Sequence, residues 1–265
     1  MTRPTAGMII ALLRLGAANA LFFRANVIAS AVGAGLQTIL LVTVWRVVYL
    51  GRDQVAGVTA DRAVAYAVLA LALTHLALPF RLSTLAERVR LGTIATDVIR
   101  PVGIVTQNLA TTLGATAGAL PGLLVVILLG AALGGIQPPA GPVQLVAFVP
   151  SALLGLALAM IANLTVSMVS FWTTDTRGAF YIYRTVAGFS SGALVPLWFM
   201  PAALTGVLQW LPFPLLIFAP LQLWFGDDRP VGTTLLAQVG WLIVLTGILL
   251  LVRRQALRKV VINGG

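Results

Sequence analysis

Acid–base, nucleophilic and metal chemistry draw on a few residue types, and this chain has little of them. Its 265 residues hold seven acidic side chains, one histidine, one lysine and no cysteine. Without cysteine there is no disulfide, no thiolate nucleophile and no thiolate metal ligand. The single lysine, Lys259, is followed by Val260, which excludes a GxxxxGK[ST] phosphate loop. If ATP drives this protein, another polypeptide binds it. His75 lies in a charge-free apolar run, and a lone imidazole builds neither a metal site nor a catalytic triad. It suits a helix-to-helix hydrogen bond, or a proton or substrate role inside a membrane. No cofactor is expected, and no acidic pair, Ser/His/Asp set or metal cluster lies within the apolar runs.

The charge that remains is concentrated in residues 81–101, RLSTLAERVRLGTIATDVIRP, with Arg81, Glu87, Arg88, Arg90, Asp97 and Arg100. A stretch this polar between apolar blocks belongs in water. Residues 82–90 can form two amphipathic turns, with Leu82, Leu85 and Val89 on one side and Glu87 opposite, flanked by Arg88 and Arg90. Gly92 supplies a helix stop, Thr93 or Thr96 can cap the next turn, and Pro101 opens the following segment. One reading is a docking element for a soluble partner; the other is a solvated loop whose arginines fix topology.

The elements that position this stretch are membrane spans. Hydrophobic residues make up 59% and charged residues 9% of the chain, and the mean hydropathy is +1.00. Those values describe an integral membrane protein. The net charge of +10 and pI near 11.5 flank apolar runs and form no polar basic surface, which argues against nucleic acid as a partner.

Residues 1–26 suit a helix lying in the headgroup layer, since Arg3 and Arg14 fall roughly 20° apart on a helical wheel. Ala18-Asn19-Ala20 resembles a signal-peptide cleavage site, but Arg14 interrupts the apolar core that a signal requires. Residues 27–45 and 63–80 are each long enough to span, and Arg46 can snorkel from the first. Residues 101–174 carry no charge and fit two spans divided by the turn-rich stretch 134–142. Within the first of these, Gly114, Gly118 and Gly122 offer a small-residue packing face and Pro121 a kink. After Asp175, Arg177 and Arg184, residues 185–226 are again uncharged, but Pro196, Pro201, Pro212, Pro214 and Pro220 argue against two regular helices. The expectation is one span to about Phe199, then a proline-broken segment dipping back into the membrane, covered by protein or water. Residues 230–252 make the last span, and Arg253, Arg254, Arg258 and Lys259 follow.

With six spans and both ends in the cytoplasm, 13 basic residues fall inside against Arg52, Arg62 and Arg229 outside. The predicted organisation is all-α: an interfacial helix over 1–26, a six-span domain over 27–252 and a cytosolic tail over 253–265. The six-span domain includes the charged segment 81–101 and a re-entrant segment 196–226.

Laid out this way, the chain resembles the ABC-2 type permeases, membrane subunits of ATP-binding cassette exporters. The resemblance covers almost the whole chain and rests on FFRAN at 22–26, ERVRLGTIATDVIRP at 87–101, SGALVPLWFMP at 191–201 and LPFP at 211–214. It implies a half-transporter of the cell membrane with an N-terminal interfacial helix, a cytosolic coupling helix between spans two and three, and a re-entrant outer hairpin before the last span. It implies separate ATPase subunits as partners and a second permease subunit, identical or homologous. Glu87, Arg88, Arg90, Gly92, Asp97, Arg100 and Pro101 would then lie at or near the ATPase contact. The chain would itself do no bond chemistry.

Pro196, Trp198, Phe199, Trp210 and Phe213 are the candidates for a pathway or outer gate, although aromatic residues at this level also anchor proteins to membrane lipids. An ion- or proton-coupled secondary transporter is the alternative, with only His75 and Arg46 as ionisable groups near the midplane. An intramembrane enzyme would need a catalytic set that these spans lack.

Overall fold

The computed structural model describes residues 6–77, 85, 88, 89, 91, 94, 102–173, 177–227 and 229–263. Helices α1 (Ala6–Phe22), α2 (Arg24–Val48) and α3 (Ala60–Ala77) open the chain. Next come α4 (Ile104–Ala115), α5 (Leu120–Ala132), α6 (Pro142–Ser167) and α7 (Arg177–Ser190). The short α8 (Ala202–Leu208) and α9 (Phe218–Phe225) precede the long α10 (Val231–Asn263). The only sheet among the described residues is a hairpin of β1 (Gln54–Val55) and β2 (Val58–Thr59). Its two-residue turn has positive φ at both Ala56 (51°) and Gly57 (77°), the twist that a tight hairpin requires.

Among the described residues, five helices are long and apolar enough to cross a membrane: Arg24–Val48, Ala60–Ala77, Ile104–Ala132, Pro142–Phe171 and Val231–Ala256. They fall where the charge-free runs placed them. The third is α4 and α5 joined by a 3-10 turn at Thr116–Ala119. Pro121 stands in the first turn of α5 and has no N–H to return to residue 117, so the chain tightens just before it. The last helix runs through Arg253, Arg254 and Arg258, so the expected tail continues the span.

The helix expected to reach about Phe199 stops at Ser190. Gly192 has φ +80°, which a helix cannot continue through, and Pro196 then leads a 3-10 turn at Leu197–Phe199. At about 1.5 Å per residue, α7 is roughly 21 Å long. From Ser191 to Gly226 the chain proceeds as that turn, α8, a second 3-10 turn at Phe213–Leu215, and α9.

Packing follows the small residues. A Cβ on Gly16 would collide with the Thr111 carbonyl, and one on Gly114 with the Leu13 carbonyl, so α1 and α4 touch backbone to backbone. The glycine face thus binds α1 to the bundle, the close approach on which apolar helices rely in lipid. α3 is the innermost helix, buried from Ala63 through Ala72. By contrast α2 exposes Ile28, Val32, Leu36 and Ile39, and α10 exposes Leu236, Ile243 and Leu251, as lipid-facing surfaces do.

Candidate functional site

Two places gather the side chains that sequence singled out, one at each end of the bundle. The hairpin end carries residues 49–59, 133–141, 226, 227, 229 and 230. The arginine end carries residues 85, 88, 89, 91, 94, 168–173 and 253–258.

At the arginine end, Leu85, Arg88, Val89 and Ile94 all have helical backbone. Leu85 (0% exposed) and Ile94 join Ile104, Leu164, Met168, Phe171, Leu249 and Ala256 in one apolar cluster, with Val89 packed against it. The apolar side expected for residues 82–90 therefore does face protein at Leu85 and Val89. Arg88 is half-buried and Leu91 exposed. Leu82, Glu87, Arg90, Gly92, Asp97, Arg100 and Pro101 lie outside the described residues.

At the hairpin end, Arg62 in the first turn of α3 pairs with Asp227, just beyond α9. Their side chains are 33% and 19% exposed, so the pair is only partly screened by water. The Arg62 guanidinium also lies over the rings of Trp198 (5.0 Å) and Phe225 (5.4 Å), a stacked arrangement that suits arginine better than lysine. Trp198 meets Tyr66 at 4.9 Å and Phe218 at 5.6 Å in edge-on contacts. Tyr66 is fully buried and donates its hydroxyl to the Gly192 carbonyl at 3.0 Å. Val58, Arg62, Trp198, Gln222, Gly226 and Asp227 line a recess of about 430 Å³. Arg229 donates to Gln222 Oε1 at 3.2 Å, and burial lowers its pKa from the ordinary arginine value.

The loop between the third and fourth long helices is tied in as well. Trp224 Nε1 donates to the Gln137 carbonyl at 3.0 Å, and Ala140 N–H donates to the Trp224 carbonyl at 3.0 Å. The left-handed Gly226 (φ +70°) lets the chain turn there, and a Cβ on it would press on Ala140 at 2.8 Å. Arg46 hydrogen-bonds the Leu133 carbonyl, capping the end of α5.

Of the five gate candidates, Trp198, Phe199 and Phe213 pack inward and Pro196 leads into their turn. Phe199 sits on Trp45 at 5.1 Å. Trp210 stands apart, 77% exposed. Among the described residues the helix-to-helix hydrogen bond expected of His75 is not found at Nε2, which is buried without a partner there; its Cε1 would lie 3.8 Å from a Cβ at Gly122. Sequence reasoning missed Arg62 and Asp227 as a pair. Each reads as an ordinary flanking charge, and nothing local links residues 165 apart.

The arrangement holds helices and loops together and brings no nucleophile and base into contact among the described residues. A multi-pass helical membrane protein with apolar outer faces is the class that this geometry defines. The family model described as ABC-2 family transporter protein matches residues 36–264, and the chain belongs to that family, whose members are membrane transport components and not themselves catalytic. No curated protein matches the chain.

Proposed function

We propose that this chain is the permease subunit of an ATP-driven exporter, forming half of the translocation pathway and taking its power from separate ATPase subunits. It pairs with a second permease subunit, identical or homologous, in the cell membrane. Both termini are cytoplasmic, with 1–26 interfacial, 27–252 membrane-embedded and 253–265 on the cytosolic side. The sixth crossing is supplied by α7 with the broken segment after it, and residues 196–226 re-enter from the outer face. In this reading the arginine end is cytosolic, in keeping with the excess of basic residues there.

The observation that carries the proposal is the seating of Leu85, Val89 and Ile94 among residues of α4, α6 and α10. Apolar anchors of this kind fix Leu85, Val89 and Ile94 of segment 81–101 to the spans. Glu87, Arg88, Arg90, Asp97 and Arg100 make the ATPase contact, with Gly92 and Pro101 setting the turns. Closure of the ATPases then pushes on the segment and tilts the spans between inward-open and outward-open states.

Reversing charge at Glu87 or Arg100 in the complex isolated with its ATPase should lower ATP turnover severalfold. Turnover at the natural rate in both variants overturns the docking role. The buried, unpartnered Nε2 of His75 favours a second reading, proton- or ion-coupled transport. That reading requires uptake or efflux by the isolated chain without any ATPase, abolished in His75→Gln.

A further inference from the structure

The helices α6 and α10 both reach the two ends of the bundle. α6 and α10 pack along each other, and at the arginine end Leu164, Leu249 and Ala256 close around Leu85 and Ile94. Toward the hairpin end, the same two helices hold the broken segment through an amide. Gln238 of α10 is 0% exposed. Its Nε2 donates to the Ser151 carbonyl of α6 at 2.9 Å and to the Leu215 carbonyl at 2.9 Å. Both amide protons are therefore used.

One turn along α6, a Cβ on Gly155 would lie 2.6 Å from the Leu216 carbonyl oxygen, so the 213–215 turn rests directly on the α6 backbone. A buried amide in an apolar span is costly unless bonded. Here Gln238 Oε1 and Ser151 Oγ are buried with no partner, so the amide serves geometry at the expense of stability. α3 also touches the broken segment, through Tyr66 and Trp198. It contributes no residue to the cluster around Leu85 among the described residues. α6 and α10 thus form a direct line between the two ends, about 25 Å long from Ser151 to Met168.

We propose that α6 and α10 move as one lever and that Gln238 is the positioning residue that ties this lever to residues 213–217. Displacement of Leu85 and Ile94 is thereby delivered to the broken segment. The inference rests on the reading of this chain as an ATPase-driven permease.

The chain has no native cysteine, so a single Gln209→Cys, at an exposed position after α8, makes a clean reporter. Its reaction with a membrane-impermeant maleimide is followed in sealed, outer-face-out vesicles from the source cells, either empty or loaded with ATP and vanadate. Trapping should change the labelling rate severalfold when Gln238 is intact. Gln238→Leu and Gln238→Met, which remove both donors at similar volume, should erase that change while the melting temperature stays close to that of the parent. A change of the parent's size in either folded variant overturns the lever. A parent that shows no change with ATP and vanadate overturns the ATPase-driven reading itself, and the lever with it.

Discussion

The described residues at the two ends of the bundle make different prominent contacts. At the hairpin end the contacts have direction: an ion pair, a guanidinium stacked on two rings, edge-on aromatic pairs, and hydrogen bonds from Tyr66 and Trp224 to backbone carbonyls. At the arginine end the described residues Leu85, Ile94, Ile104, Leu164, Met168, Phe171, Leu249 and Ala256 form one apolar cluster. Directional contacts hold one geometry, whereas aliphatic ones tolerate repacking when volume is kept. Under the function proposed above, the end that passes on a push gains from the second kind, and the end that stays sealed gains from the first.

This contrast can be broken by mutation. The largest effect is expected from Trp198→Ala, which removes the ring touching Tyr66, Phe218, Phe225 and Arg62. About 4 kcal/mol of stability should be lost, measured by denaturant unfolding in detergent. Leu85→Ala at the opposite end should cost about 3 kcal/mol in the same assay, and a larger loss there than at Trp198 would invert the comparison. Arg62→Met, which strands a half-buried Asp227, should cost about 2 kcal/mol. High salt should narrow the gap between this variant and the parent, because salt weakens the parent's ion pair. The smallest and most telling pair is Tyr66→Phe against Leu164→Met. The first loses a hydroxyl hydrogen bond and about 1 kcal/mol. The second should cost less than about 1 kcal/mol if the aliphatic cluster can repack, and a cost above 2 would show it as rigid as the aromatic end.

Much of the architecture could be read from charge-free length. Among the described residues, the runs at 27–45, 63–80 and 230–252 each hold one long helix and 101–174 holds two, because burying an unbonded backbone in lipid is prohibitive. The prolines of 185–226 correctly announced a broken segment, but they could not say that its helix ends at Ser190, which Gly192 decides. The small-residue face at Gly114 and Gly118 was visible as a packing surface. Its partner α1 was not, since Gly16 lies about a hundred positions away in a helix read as interfacial. Arg62 with Asp227, and Gln238 with Leu215, were invisible for the same reason: their geometry exists only after the helices assemble. Of the segment 81–101, the amphipathic side proved correct at Leu85 and Val89.

The final helix is longer than a bilayer needs. Its 33 residues rise about 50 Å, whereas the hydrocarbon layer is about 30 Å thick. Standing upright, the rod therefore extends about 20 Å beyond the hydrocarbon, into and past the headgroup layers. Arg253, Arg254 and Arg258 ride on that overhang. Any tilt of the rod within the lipid is magnified at its far tip, so a spin label or fluorophore placed there would report rotations too small to register within the span itself.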